Sequence, residues 1–260
     1  MNYFHKLILD YKYLKVIKLF AIFILYLTIA ISQLKTIYAQ EDIMANANNL
    51  FDQGKYIESV TIASKDSSIE AQIFCARTLA IYGHFLLKGE EAMNVFMEAR
   101  KYAERAVEID NNNDNAHVEA AHTMGRYSQF IGVVSALKEG YAEKISFHLD
   151  LAIKINSKNV SAQISKGSWH AEIVNKAGFM AKILYGATAN QARDHYNNAL
   201  NIDGDRIGVL FEVAYGLVLL DKKQDIFKAK GLLFKALETS PENHLDQLYL
   251  YKARELIKTL

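Results

Sequence analysis

The sequence predicts an all-α chain in which antiparallel helix pairs stack into a right-handed superhelical array. Three observations lead there. Four segments end alike, at Ala106-Val-Glu-Ile-Asp110, Ala152-Ile-Lys-Ile-Asn156, Ala199-Leu-Asn-Ile-Asp203 and Ala236-Leu-Glu-Thr-Ser240, with the alanines 46, 47 and 37 residues apart. Fixed-period self-similarity of this kind is the mark of repeat architectures. Upstream of each ending, apolar residues recur at steps of three and four, which places one apolar stripe on a helix. No apolar run has strand length with turn signals on both sides, and the 260 residues contain a single proline, so a turn-dense β-sandwich is disfavoured.

Taken in order, the first element is not part of the array. Lys12, Lys15 and Lys18 precede Leu19–Ile31, where only Thr28 is polar, and a short segment ends at Tyr38-Ala39-Gln40. A basic flank, an apolar core and a small residue at the cut predict a secretory signal peptide over 1–39, cleaved after Ala39. The alternative is an uncleaved N-terminal anchor, although a spanning helix needs about 20 apolar residues. Residues 40–66 read as a short helical hairpin turning at Gly54, and 67–260 as the repeat domain.

Within that domain the helices ending in the alanine motif carry the stripes Ala92-Val95-Phe96-Ala99-Ala103-Ala106, Ala142-Ile145-Leu149-Ala152, Ala189-Ala192-Tyr196-Ala199 and Ile226-Ala229-Leu233-Ala236. Small residues on such a stripe let a neighbouring helix approach closely. A second set is predicted near Ile69–Leu87, Asn115–Phe130, Val160–Ala177 and Ile207–Leu220, each with a single interior glycine: Gly83, Gly125, Gly167 and Gly216. Glycine costs about 1 kcal/mol against alanine in a helix interior, so its recurrence implies that something packs against the bare backbone. Val209–Leu220 is apolar nearly all round and should be the most buried helix. Leu245–Leu260 reads as a polar-faced terminal helix, which a solenoid end requires. A glycine-bearing helix followed by one ending in Ala-apolar-x-apolar-turn is tetratricopeptide-like.

Composition narrows the function. Without residues 1–39 the chain has 25 basic and 28 acidic residues, a net charge of −3, and no run of five lysines or arginines. Nucleic-acid binding needs a basic footprint, and the same balance argues against an acidic polymer or an anionic bilayer as partner. The lone Cys75 excludes an intramolecular disulfide framework and a multi-cysteine metal site, and its apolar setting suits a small core side chain.

Four stretches carry a resemblance over residues 95–257. They are Tyr102-Ala-Glu-Arg-Ala-Val-Glu-Ile-Asp110, Gly125-Arg-Tyr127 with Gly140-Tyr141 and His148, Gly167-Ser-Trp-His-Ala-Glu172, and Ala181-Lys-Ile-Leu-Tyr-Gly-Ala-Thr188. With them the chain resembles a family of degenerate tetratricopeptide proteins that includes the regulators of microtubule dynamics and bacterial exported proteins. The resemblance implies a superhelix with a concave groove and no catalytic chemistry. Some relatives bind proteins; others look like carriers of lipid or small apolar ligands, or partners of transporters. The chain lacks the lipoprotein cysteine of the transporter-associated members, and a microtubule role does not fit an exported chain.

The candidate sites follow from helical spacing. Glu119, His122, Arg126 and Gln129 step by 3, 4 and 3 and share a face; they form a candidate contact stripe for a partner or an anionic head group, against the plainer reading of a solvated face. Phe130, Trp169, Phe179 and Tyr185 would line a ligand cavity if one exists, with His170 beside Trp169; the plainer readings are a packing tryptophan and an apolar group, Phe179–Tyr185, that prolongs its helix. His170 and Glu172 diverge on a helix, Glu119 and His122 lack further local ligands, and no His-Glu-x-x-His occurs, so neither metal nor cofactor is expected. No nucleophile elbow or phosphate loop is present, which points away from an enzyme. The expected function is an exported scaffold, in a bacterial periplasm or tethered to its membrane, that binds a partner protein in its groove. The alternative is a carrier of a lipid or small apolar ligand.

Overall fold

The computed structural model describes residues 26–29 and 41–260; apart from 26–29 the predicted leader lies outside the described residues. Internal contacts divide the chain at residues 45 and 46. In the first unit the described residues, 26–29 and 41–45, are helical. The second unit is all helix and turn among its described residues.

It opens with α1 (46–52), followed by α2 (Tyr56–Ala63), α3 (Ile69–Leu86), α4 (Gly89–Ile109), α5 (Asp114–Ser128), α6 (Val133–Lys138), α7 (Tyr141–Ile155), α8 (Val160–Ala177), α9 (Met180–Tyr185), α10 (Ala189–Asp203), α11 (Ile207–Leu219), α12 (Lys223–Glu238) and α13 (His244–Ile257). The pairs are α3/α4, α5/α7, α8/α10 and α11/α12, and each second helix also packs on the first helix of the following pair. The first helices form their own layer, α3 on α5, α5 on α8, α8 on α11 and α11 on α13. No described helix is long and apolar enough to cross a membrane.

The alanines of the stripes and of the repeated endings explain this packing. Ala99, Ala103, Ala106, Ala152, Ala192, Ala199, Ala229 and Ala236 are fully buried at the contacts between helices. α11 buries eight of its thirteen residues, the largest share of any described helix, as its unbroken apolar run requires.

The glycines divide. A Cβ on Gly83 would meet the Phe96 ring at 2.8 Å, and one on Gly167 would meet Tyr196 at 2.5 Å; Gly216 abuts the same tyrosine from the other side. Tyr196 is fully buried between α8 and α11, its hydroxyl donating to Ser168 at 3.3 Å. Gly125 differs from the expectation: a Cβ there would touch only Ile145, at 3.9 Å, so no close approach demands it.

The 46- and 47-residue spacings also resolve. α6 and α9 are one-turn helices inserted between the members of the second and third pairs, whereas α3/α4 and α11/α12 are joined by tight turns. The unadorned 37-residue spacing belongs to the pair without an insert.

The array also closes on itself. The Tyr56 hydroxyl and His244 Nδ1 lie 3.0 Å apart, and the rings of Phe85 and Tyr249 meet edge to face at 5.1 Å. The first pairs therefore touch the last helix. Gly54, at φ +79°, turns the chain beneath His244, whose ring occupies the space a side chain would need.

Candidate functional site on the inner helix layer

The starts of the first helices are fixed before any side chain reaches inward. The Asn113 side chain accepts the Ala116 amide at 3.1 Å and Asn159 accepts that of Ala162 at 2.9 Å, both standard N-caps. Asn159 and Asn156 also donate to Asp114 at 2.8 and 2.7 Å, which ties the start of α8 to the start of α5.

A second ladder runs one turn further along. His117 Nε2 donates to the Asn111 carbonyl at 2.9 Å while its Nδ1 lies 2.8 Å from Nδ1 of His148. Since a carbonyl only accepts, His117 holds its proton on Nε2 and His148 donates from Nδ1. In the following repeat Gln163 plays the part of His117, donating to the Ser157 carbonyl at 2.9 Å and accepting from His195 at 2.7 Å. The third copy of the position is Leu210, fully buried. Sequence reasoning missed these bridges; the signal was a 46- to 47-residue offset relating His117 to Gln163 and His148 to His195.

The predicted stripe on α5 is split among roles. Glu119 is buried and accepts from His122 Nδ1 at 3.3 Å, and His122 Nε2 meets the Ser165 hydroxyl of α8. His122 thus knits α5 to α8, with Glu119 bonded to its other ring nitrogen from the same helix. Gln129 is exposed at the helix end. Arg126 has neither an ion pair nor a hydrogen bond among the described residues, yet its charge acts on His84 of α3, Tyr215 of α11 and Tyr249 of α13. Glu172 and Glu212 act on Tyr215 as well, and Lys252 on His84. Groups of α3, α11 and α13 therefore feel the charge of Arg126, and Glu172 of α8 joins the same network through Tyr215. Burial, then Arg126 and Lys252, push the His84 ring down to about 3, so it is neutral there. Burial and Glu212 hold the Tyr249 phenol well above its ordinary value. His84, Glu212, Tyr215, Tyr249 and Lys252 escaped the sequence reading because the superhelix, not local spacing, gathers them.

Of the predicted cavity lining, Trp169 and Tyr185 are brought together and Phe130 and Phe179 are not. Trp169 is buried, donates Nε1 to the Ala142 carbonyl at 2.9 Å, and packs with Leu149, Ala181 and Tyr185. Phe130 lies instead against Phe96, ring centres 5.6 Å apart. Phe179 projects outward, and α8 ends at Gly178 (φ +56°) rather than continuing through it. His170 is buried between Trp169 and His195, with no hydrogen bond to either ring nitrogen among the described residues. No group of three or more His, Cys, Asp or Glu among the described residues is placed to hold a metal ion.

Paired helices in two layers, with a polar inner face, define a helical-repeat protein of the tetratricopeptide class, an architecture that suits protein binding and is generally non-catalytic. Within it, the chain belongs to the family described as regulator of microtubule dynamics protein 1-3, whose family model matches residues 43–260. It is 22% identical over 178 residues to regulator of microtubule dynamics protein 1 of Bos taurus, a match covering 64% of this chain and 56% of that protein. The chain thus spans about half the length of the curated relative. Among solved structures it is similar to a thermophilic TPR protein of Thermus thermophilus, with TM-score 0.59 and 16% identity, covering 84% of this chain and 99% of that one.

Proposed function

We propose that the chain is a non-catalytic scaffold, exported to a bacterial periplasm, that holds a segment of a partner protein against the inner helix layer. The observation that carries this reading is Arg126, a guanidinium without an ion pair or hydrogen bond among the described residues, whose charge reaches groups on three other helices, His84 of α3, Tyr215 of α11 and Tyr249 of α13. A guanidinium offers a planar fork of donors suited to a carboxylate, and Lys252, Glu172 and Glu212 set a mixed pattern of charge around it. Export rests on the sequence of residues 12–39; if that segment is retained, the scaffold is tethered to the membrane.

A photo-crosslinking phenylalanine at Tyr215 tests the reading, with the same group at the outward Asp205 as reference. A discrete polypeptide adduct at 215, absent at 205 and lost in Arg126→Glu, is the expected result. No polypeptide adduct at 215, or the same adducts at both positions, would overturn it. The second reading, a carrier of a lipid or small apolar ligand, is favoured by the rings of Phe85, Phe211 and Tyr249, which meet where the array closes. A co-purified mass of a few hundred daltons under native mass spectrometry would favour the carrier. The chain mass in that spectrum also tests cleavage after Ala39.

A further inference from the structure

The two inserted one-turn helices correspond to each other: α6 at 133–138 and α9 at 180–185 are offset by the same 47 residues as Ala152 and Ala199. Both connect the end of a first helix to the start of its partner, so both lie on one rim of the array, on neighbouring repeats. Both expose a leucine at the matching position, Leu137 at 56% and Leu184 at 59%. α9 adds Phe179 at 84% and Ile183 at 70%. Single exposed apolar residues are ordinary, but a contiguous exposed cluster calls for an occupant.

The knuckle is built to hold that cluster outward. Its other face is anchored, with Ala181 buried and Tyr185 packed beside Trp169. Gly178 at φ +56° and Gly186 at φ +67° break the chain on both sides of it, a conformation that L side chains rarely adopt. Residues 173–193 contain no aspartate or glutamate, in a chain with 29 of them; on the α6 side the exposed Glu139 follows Lys138. The exposed cations Lys138, Lys176 and Lys182 flank the apolar tips; Lys176 pairs with Glu172 at 2.9 Å, and Lys182 has no ion pair among the described residues.

We propose that this rim docks on an anionic lipid bilayer, with Phe179, Ile183, Leu184 and Leu137 entering the interface and the lysines facing lipid phosphates. Apolar tips buried about 5–10 Å into the head-group boundary, reinforced by cations at the surface, are the general means by which a peripheral element holds a membrane. The chain's overall charge of −3 without its leader does not oppose this, because attraction to the surface falls off within a Debye length and is set by the residues on the rim. Docking is independent of what the inner layer binds.

The test uses the full-length chain on vesicles, so the N-terminal segment is present in every sample and the readout must be local. Cys75 is buried and stays unlabelled. An environment-sensitive dye is placed at Ile183→Cys, at Leu137→Cys, and at Asn112→Cys on the opposite rim. On phosphatidylglycerol vesicles the dyes at 183 and 137 are expected to shift to the blue and to be quenched by brominated lipid chains, while the dye at 112 is not. Lys182→Gln is expected to reduce the docking constant about fivefold. Three outcomes overturn the proposal. The dyes at 183 and 137 remain as wet as that at 112; quenching is equal on neutral phosphatidylcholine; or the shift occurs without quenching, which would assign the rim to a protein partner.

Discussion

His170 is a base held where protonation is costly. It is 3% exposed, both ring nitrogens lack partners among the described residues, and burial, then Lys166, then His195 push it down to about 4. Lys166, itself buried, is occupied by Asp150 and Ser146, each at 2.7 Å, and sits over the Trp169 ring. The folded state thus binds the proton more weakly than the unfolded chain, whose histidine titrates near the ordinary value of about 6.5. The stability this contributes is complete above that value and is lost as the pH falls towards 4, at about 1.4 kcal/mol per unit of depression. His84, pushed down to about 3, adds loss of the same sign. Urea midpoints measured from pH 7.5 to 4.5 should therefore decline, and His170→Leu should flatten the slope with little cost at pH 7.5. An unchanged slope would mean that His170 reaches water. None of this was legible from one helix: His170 and Glu172 diverge as spacing predicts, but His195, the residue stacked on His170, lies on another helix.

At the scale of the element, tyrosine and glycine complement each other. Tyr196 occupies the position held by Ala103, Leu149 and Leu233 in the other repeats, and only Tyr196 meets glycine on both sides. Gly167→Ala and Gly216→Ala should each destabilise by about 1–3 kcal/mol through overpacking. Gly125→Ala, with only Ile145 within reach at 3.9 Å, should instead stabilise by up to about 1 kcal/mol through helix propensity. Thermal unfolding of the three variants decides, and equal losses in all three would show that α5 is as tightly met as α8 and α11. The pairs themselves were readable in the sequence because the alanine endings and apolar stripes are local. The meaning of four interior glycines was not, since what opposes each is set by a neighbouring helix. The inserts were half visible. Spacings of 46 and 47 beside one of 37 imply extra residues, yet Phe179–Tyr185 reads equally well as a prolonged helix until Gly178 takes a positive φ.

For the whole molecule, the decisive feature is that the array ends where it began. In an open solenoid each repeat touches only its neighbours, and stability is close to a sum of repeat and interface contributions, so the ends fray independently. Here α13 bonds α2 through His244 and Tyr56, residues 188 apart, and packs Tyr249 on Phe85 of α3. Local pattern could not reveal this, because closure depends on a small rotation per pair accumulated over the array. Closure also confines the inner layer: Arg126 on α5 acts on Tyr249 of α13, and Lys252 of α13 acts on His84 of α3, pairs that a gently curved array would keep apart. If closure is energetic rather than incidental, the terminal helices open together. His244→Ala removes the bond and part of the ring contact while leaving the apolar seams of α11 and α12 intact. Amide hydrogen exchange should then accelerate in α2 and the start of α3 as well as in α13, with α5 to α10 little changed. Acceleration confined to α13 would show that the ends touch without supporting each other, and the inner face would behave as an open groove.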